Sequence, residues 1–264
     1  MNKPVLTMSR RSNHQGFTLV ETVIAMGIIT IMITAFMAAF GPAVKGIQKS
    51  ISAKEANRLA TTLEYELSIL RFEEENSDGA EYTTAFEKAF EWIEESGTND
   101  RDSYILLYQY RGDPDKVRDD GSLEPQADKS KQLPGSDYVL QSVVRRLGDD
   151  KVSEELQPGI VEGRVFFVRM TQLVFDNGEL KLAGQDGVPG GLGQIIDPTE
   201  PRDTVTDHTD YPEATIAFQA QFYVLKSSVY SYVNGTFDLD DDNNDGHPDA
   251  TGKPAFVRNM AVRR

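Results

Sequence analysis

Residues 17–40 read FTLVETVIAMGIITIMITAFMAAF, twenty-four positions with one charged side chain, Glu21. Wound as an α-helix at about 1.5 Å per residue, they extend roughly 36 Å, enough to cross a hydrocarbon layer of about 30 Å. A core helix of a soluble protein keeps a polar stripe toward water; this stretch offers only threonines, a glycine and the glutamate. It reads as a membrane span. The preceding segment, MNKPVLTMSRRSNHQG, holds Lys3, Arg10 and Arg11 and no acid. Basic flanks stay in the cytoplasm, so the chain beyond the span lies on the far side. A secretory signal peptide has an apolar stretch of about 7–15 residues before a small-residue cleavage site. Here the run is longer, and Ala38-Ala39-Phe40 makes a poor site of that kind.

Glu21 is the anomaly. A carboxylate within hydrocarbon costs a few kcal/mol on insertion scales, so it marks function and calls for a partner. Cutting the chain between Gly16 and Phe17 would create an α-amino group one helical turn from Glu21. That amine would meet the carboxylate within one helix, or pair across two staggered helices and fix their axial step.

Gly16-Phe17-Thr18-Leu19-Val20-Glu21, followed by the apolar run, resembles the class III signal of type IV pilins and type II secretion pseudopilins. The resemblance covers about the first 55 residues. It implies cleavage after Gly16 by a prepilin peptidase and methylation of the new amine on Phe17. It also implies an assembly role for Glu21, through pairing with a neighbour's N-terminus. Implied partners are other pilin or pseudopilin subunits, the inner-membrane assembly platform and the membrane itself.

Beyond the span, Ile47, Ile51, Leu59, Leu63, Leu67 and Leu70 recur at helical spacing among polar residues, which predicts an amphipathic half-helix to about Arg71. Gly41-Pro42 is expected to bend or loosen the helix, because proline removes a backbone hydrogen bond and its ring crowds the preceding turn. An acidic connector, 72–100, carries a short helix over Thr84–Ser96 with Phe86, Phe90 and Ile93 on one stripe and Trp92 as a core anchor or partner contact.

After residue 100 the pattern turns to β. Ser103–Arg111, Asp137–Arg146, Gly163–Phe175, Glu179–Ala183 and Ala214–Lys226 read as strands, with Asn177-Gly178 as a hairpin turn; Val229–Val233 and Ala255–Arg263 are weaker ones. Gly112–Ser136 and Gly184–Asp210 read as long polar loops. The predicted fold class is α+β and pilin-like, a long N-terminal helix on an antiparallel sheet. The chain divides into a leader (1–16), a helix (17–71, membrane-spanning to about 40) and a head outside the cytoplasm (72–264).

Across 264 residues there are 42 acidic and 27 basic side chains, net −15, becoming −18 once the leader is removed. Such a balance disfavours nucleic-acid binding, which needs clustered Lys and Arg. The absence of cysteine excludes thiol catalysis, disulfides and Cys-based zinc sites. Asp241-Asp242-Asn243-Asn244-Asp245-Gly246-His247-Pro248-Asp249 fits D-x-[DN]-x-[DN]-G. Oxygens of Asp241, Asn243, Asp245 and Asp249 with the His247 carbonyl would suit structural Ca²⁺. Gly252 stands where an EF-hand has its bidentate glutamate, and a solvated acidic turn is the plain alternative. The glycines of 187–193 lack a phosphate loop's Gly-Lys-Ser/Thr ending and read as a flexible loop.

No nucleophile–base set emerges, and the chain reads as non-enzymatic. The expectation is a minor pilin or pseudopilin that waits in the cytoplasmic membrane and assembles into a filament. The alternatives are an uncleaved single-span surface protein whose acidic domain binds calcium or a partner, and a membrane-anchored hydrolase working through carboxylates.

Overall fold

The computed structural model describes residues 18–71, 74–76, 79–98, 100–176, 178–185, 187–200, 203–235, 237 and 253–264. Two compact units divide the chain, Met1–Gln48 and Lys49–Arg264. Helix α1, Leu19–Ser68, is unbroken through Pro42. The expected loosening at Gly41-Pro42 is therefore corrected. Gly41 has no Cβ to meet the proline ring, which relieves the clash that normally drives a pre-proline residue out of the helical region. The helix also stops at Ser68 rather than Arg71.

Within Lys49–Arg264, α1 presents Ala56, Leu59, Ala60, Leu63 and Leu67 to the core, while Ile51 stays exposed. Helix α2, Ala85–Glu95, packs in the same cluster through Phe86, Ala89, Phe90, Trp92 and Ile93. Its start is fixed by Thr84, whose Oγ1 accepts from the Glu87 amide at 3.1 Å, and the Glu87 carboxylate reaches back to the Thr83 amide at 2.8 Å. Its end is tied to the sheet by buried Ser96, whose hydroxyl accepts from the Met170 amide at 2.9 Å.

Seven strands form one antiparallel sheet: β1 (Ile105–Val117), β2 (Leu123–Pro125), β3 (Val139–Arg146), β4 (Val161–Asp176), β5 (Glu179–Leu182), β8 (Thr215–Val224) and β9 (Phe256–Arg263). The path is β2-β1-β4-β8-β9, with β3 also on β1 and β5 on β4. Two short strands, β6 (Ile195–Ile196) and β7 (Thr204–Val205), pair separately.

Two stretches expected as loops hold strands. β1 continues past Gly112, where an added Cβ would lie 2.6 Å from the Leu123 side chain, so glycine lets β2 close on it. The β4–β5 hairpin forms as expected, with Gly178 at φ +84° in its turn.

The sheet is covered on both faces at its centre. α1 and α2 cover one; the other buries Tyr104, Leu106, Tyr108 and Phe167 under α3 (Asp150–Glu155), α4 (Tyr230–Gly235) and Phe237. α4 replaces the strand expected at Val229–Val233. A run this short fits either period, and the Val233 amide closes a helical turn on the Val229 carbonyl at 3.2 Å. That turn buries Val233 completely.

Candidate functional site: the N-terminal helix and its anchorage

Thr18 opens α1. Its Oγ1 accepts from the Glu21 amide at 3.2 Å, and its carbonyl accepts from the Thr22 amide at 3.1 Å. Thr18-x-x-Glu21 is a capping-box spacing, and Glu21 sits in the helix's first turn, where the macrodipole favours negative charge. The three other hydroxyls of the apolar stretch are satisfied within the helix. Thr22, Thr30 and Thr34 donate to the carbonyls of Thr18, Met26 and Thr30 at 3.2, 2.8 and 2.8 Å. Such back-bonding removes their demand for water. The Glu21 carboxylate is different, since it makes no hydrogen bond or ion pair with another described residue. Leu19, Ile31, Met32 and Phe36 are each more than half exposed. The helix is long and apolar enough to cross a membrane.

Gly16 and Phe17 lie outside the described residues, as do Asp241, Asn243, Asp245, His247 and Asp249. Among the described residues no group of three or more His, Cys, Asp or Glu is placed to hold a metal ion.

The C-terminal part of α1 is anchored by polar contacts as well as its apolar stripe. The Glu55 carboxylate accepts from the Arg164 amide on β4 at 3.0 Å, and Arg58 donates to Gln109 on β1. Glu64 pairs with Arg258 on β9 at 2.7 Å, and Glu66 pairs with Lys88 on α2 at 2.8 Å.

Glu66 belongs to a buried charge network that no sequence pattern announced. The Arg71 guanidinium meets Glu66 at 2.6 Å and donates to the Asp120 carbonyl at 2.9 Å. The Asp120 carboxylate holds Arg145 and Lys151, each at 3.0 Å. Arg145 reaches Glu155 at 3.1 Å, and Glu155 also takes Arg118 at 2.5 Å and the Tyr108 hydroxyl at 2.7 Å. Burial pushes the Glu66 carboxyl upward, but the Arg71 hydrogen bonds and the Lys88 charge outweigh it and hold the group below its ordinary value. Asp120 is likewise depressed: burial opposes, and hydrogen bonds from Ser122, Lys151 and Arg145 prevail.

A cleft of about 790 Å³ opens over the network, with Glu74, Glu75, Glu81 and Asp149 in its lining. Arg71, Arg145, Arg146 and Lys151 also line it, and each is already matched to a carboxylate. The glycine-rich stretch 187–193 serves packing: a Cβ on Gly97, past the end of α2, would sit 2.1 Å from the Gly193 amide nitrogen.

No curated protein and no solved structure matches the chain. Residues 11–37 match the family described as the prokaryotic N-terminal methylation motif, which marks this as a type IV pilin- or pseudopilin-like protein.

Proposed function

We propose that the chain is a minor pilin or pseudopilin, cut after Gly16, methylated on Phe17 and built into a filament through α1. The observation that carries the reading is the coincidence of the methylation motif at 11–37 with a capped, exposed apolar stretch, 18–40, in which Glu21 is the polar side chain left without a partner among the described residues. Before assembly the helix holds the subunit in the cytoplasmic membrane; afterwards, apolar contacts with neighbouring helices replace lipid. Glu21 sets recruitment or register, because a carboxylate in that setting is stabilised only by a cation brought to it. The subunit does no chemistry of its own. The Asp241–Asp249 segment supplies oxygens for a stabilising calcium ion in the head.

N-terminal mass analysis of the protein from producing cells tests the reading. The expected species begins at a methylated Phe17. An intact leader in cells with an active prepilin peptidase would overturn it and favour the uncleaved single-span protein.

A further inference from the structure

The outward side of β4, β8 and β9, opposite α1 and α2, has a composition unlike the rest of the molecule. Its outward positions are the odd-numbered ones from 169 to 175, 215 to 223 and 257 to 263, and they include no Asp, Glu or Lys. In a chain with 42 Asp and Glu among 264 residues these positions lack an acid, and the charges they do hold, Arg169 and Arg263, are both positive. Near its centre stands Arg169, opposite Gln221 in the register. Its Nε is buried and has no acceptor among the described residues. The guanidinium is close enough to offset part of the rise that burial imposes on the Tyr223 phenol.

Around Arg169 the polar side chains satisfy one another. The Tyr223 hydroxyl donates to Gln221 at 2.7 Å, Gln221 to Gln219 at 3.1 Å, and Gln219 to Asn259 at 3.2 Å. This ladder is neutral and provides no counter-charge. At the far end, the cross-strand partners Phe175 and Leu180 are 70% and 42% exposed, an apolar pair held out at a hairpin tip. Half-buried arginine, aromatic and apolar side chains, and depletion of Lys, Asp and Glu are the composition of protein-interface cores.

We propose that this face docks a partner protein by seating a partner carboxylate on Arg169, with partner apolar side chains against Phe175 and Leu180. The unmatched guanidinium sets the sign of the partner's charge. A second copy docked face to face is disfavoured, because a two-fold contact would oppose Arg169 to strand positions that hold no acid. The proposal does not depend on cleavage after Gly16.

The test is photo-cross-linking of the full-length chain in producing cells. A benzophenone amino acid is placed at Gln219, with a control at exposed Lys129 and the adducts mapped by mass spectrometry. The expected result is a discrete adduct from position 219 to another protein, attached within a few residues of an Asp or Glu. Arg169→Gln should lower its yield at least about tenfold, as for loss of one member of a desolvated charge pair. Arg169→Lys should retain part of it, and thermal melting of each variant reports the fold. Any of three results overturns the proposal: adducts only to the same chain or the same face of a second copy, adducts only to lipid or polysaccharide, or a protein adduct unchanged by Arg169→Gln in a folded variant. The leader is read in the same sample, so failure here is distinguishable from failure of the filament reading.

Discussion

Lys88 Nζ lies 2.8 Å from Glu66 Oε1 and 2.6 Å from Glu74 Oε1, a fully buried ammonium on α2 held by α1 and by the connector that follows it. It also sits 5.0 Å above the Trp92 ring. This contact joins the helix that carries the apolar segment to the helix that caps the sheet. Removing one member of a buried pair leaves an uncompensated charge, at a typical cost of about 3–5 kcal/mol. Lys88→Met should lower unfolding stability by that order. Lys88→Met with Glu66→Gln should recover part of it, although Arg71 and Glu74 then lose a partner. Denaturant unfolding of the full chain in detergent checks this; equal losses in the single and double variants would show that Lys88 acts through packing alone.

Glu66 and Asp120 predict an acid limb in the stability profile. Both carboxyls are held below their ordinary values of 4.5 and 3.8, so the folded state binds these protons less readily than the unfolded chain. Their stabilisation is fully present above those values and is lost as pH falls through the depressed folded values. Glu94 is shifted the opposite way, by burial and by the charges of Glu95 and Glu91, and gains slightly on acidification. The melting temperature should fall below about pH 4, and Glu66→Gln should flatten the limb. A limb unchanged in Glu66→Gln would remove Glu66 from the account.

Glu21→Ala should leave membrane insertion intact or improve it, since a charge leaves the apolar segment. Incorporation into filaments should fall, and Glu21→Asp should restore part of it if the carboxylate is what matters. Quantifying the subunit in sheared filaments against the membrane pool measures this. Undiminished incorporation of Glu21→Ala would defeat the pairing role.

Thr18→Val removes the acceptor of the Glu21 amide and Thr18→Ser keeps it. A lost N-cap costs about 1 kcal/mol, so amide exchange at Glu21 should speed roughly fivefold in Thr18→Val and little in Thr18→Ser. Equal exchange in both would mean that the cap contributes nothing.

If the 241–249 segment binds calcium, Asp245→Ala should lower the melting temperature only when calcium is present. Identical melting of the parent chain in calcium and in chelator would end that proposal.

The apolar segment was legible because its signal is local: twenty-four residues with one charge, a basic flank and an acid at a fixed step from Gly16. The Thr84-to-Ser96 helix was legible for the same reason, with its apolar stripe inside one short window. β4 and β8 showed strand composition, yet their two-sided environment did not show. Whether Phe167 and Tyr223 face solvent or α4 and Phe237 depends on a segment arriving from elsewhere in the chain. The strand expected at Val229–Val233 became α4 because tertiary burial of Val233 outweighs the weak β preference of five residues.

The sequence by itself determined the long apolar N-terminal helix and the position of Glu21 within it. Contacts within one or two helical turns decide these, and residue type at short spacing reports them. Only the tertiary structure decided that Glu66, Lys88, Arg71, Asp120, Arg145 and Glu155 share one buried network, and that the buried Arg169 Nε has no acceptor among the described residues. In a chain with 42 acids and 27 bases, sequence offers each cation many carboxylates. Only the fold, by excluding water and fixing distance, selects which charges pair.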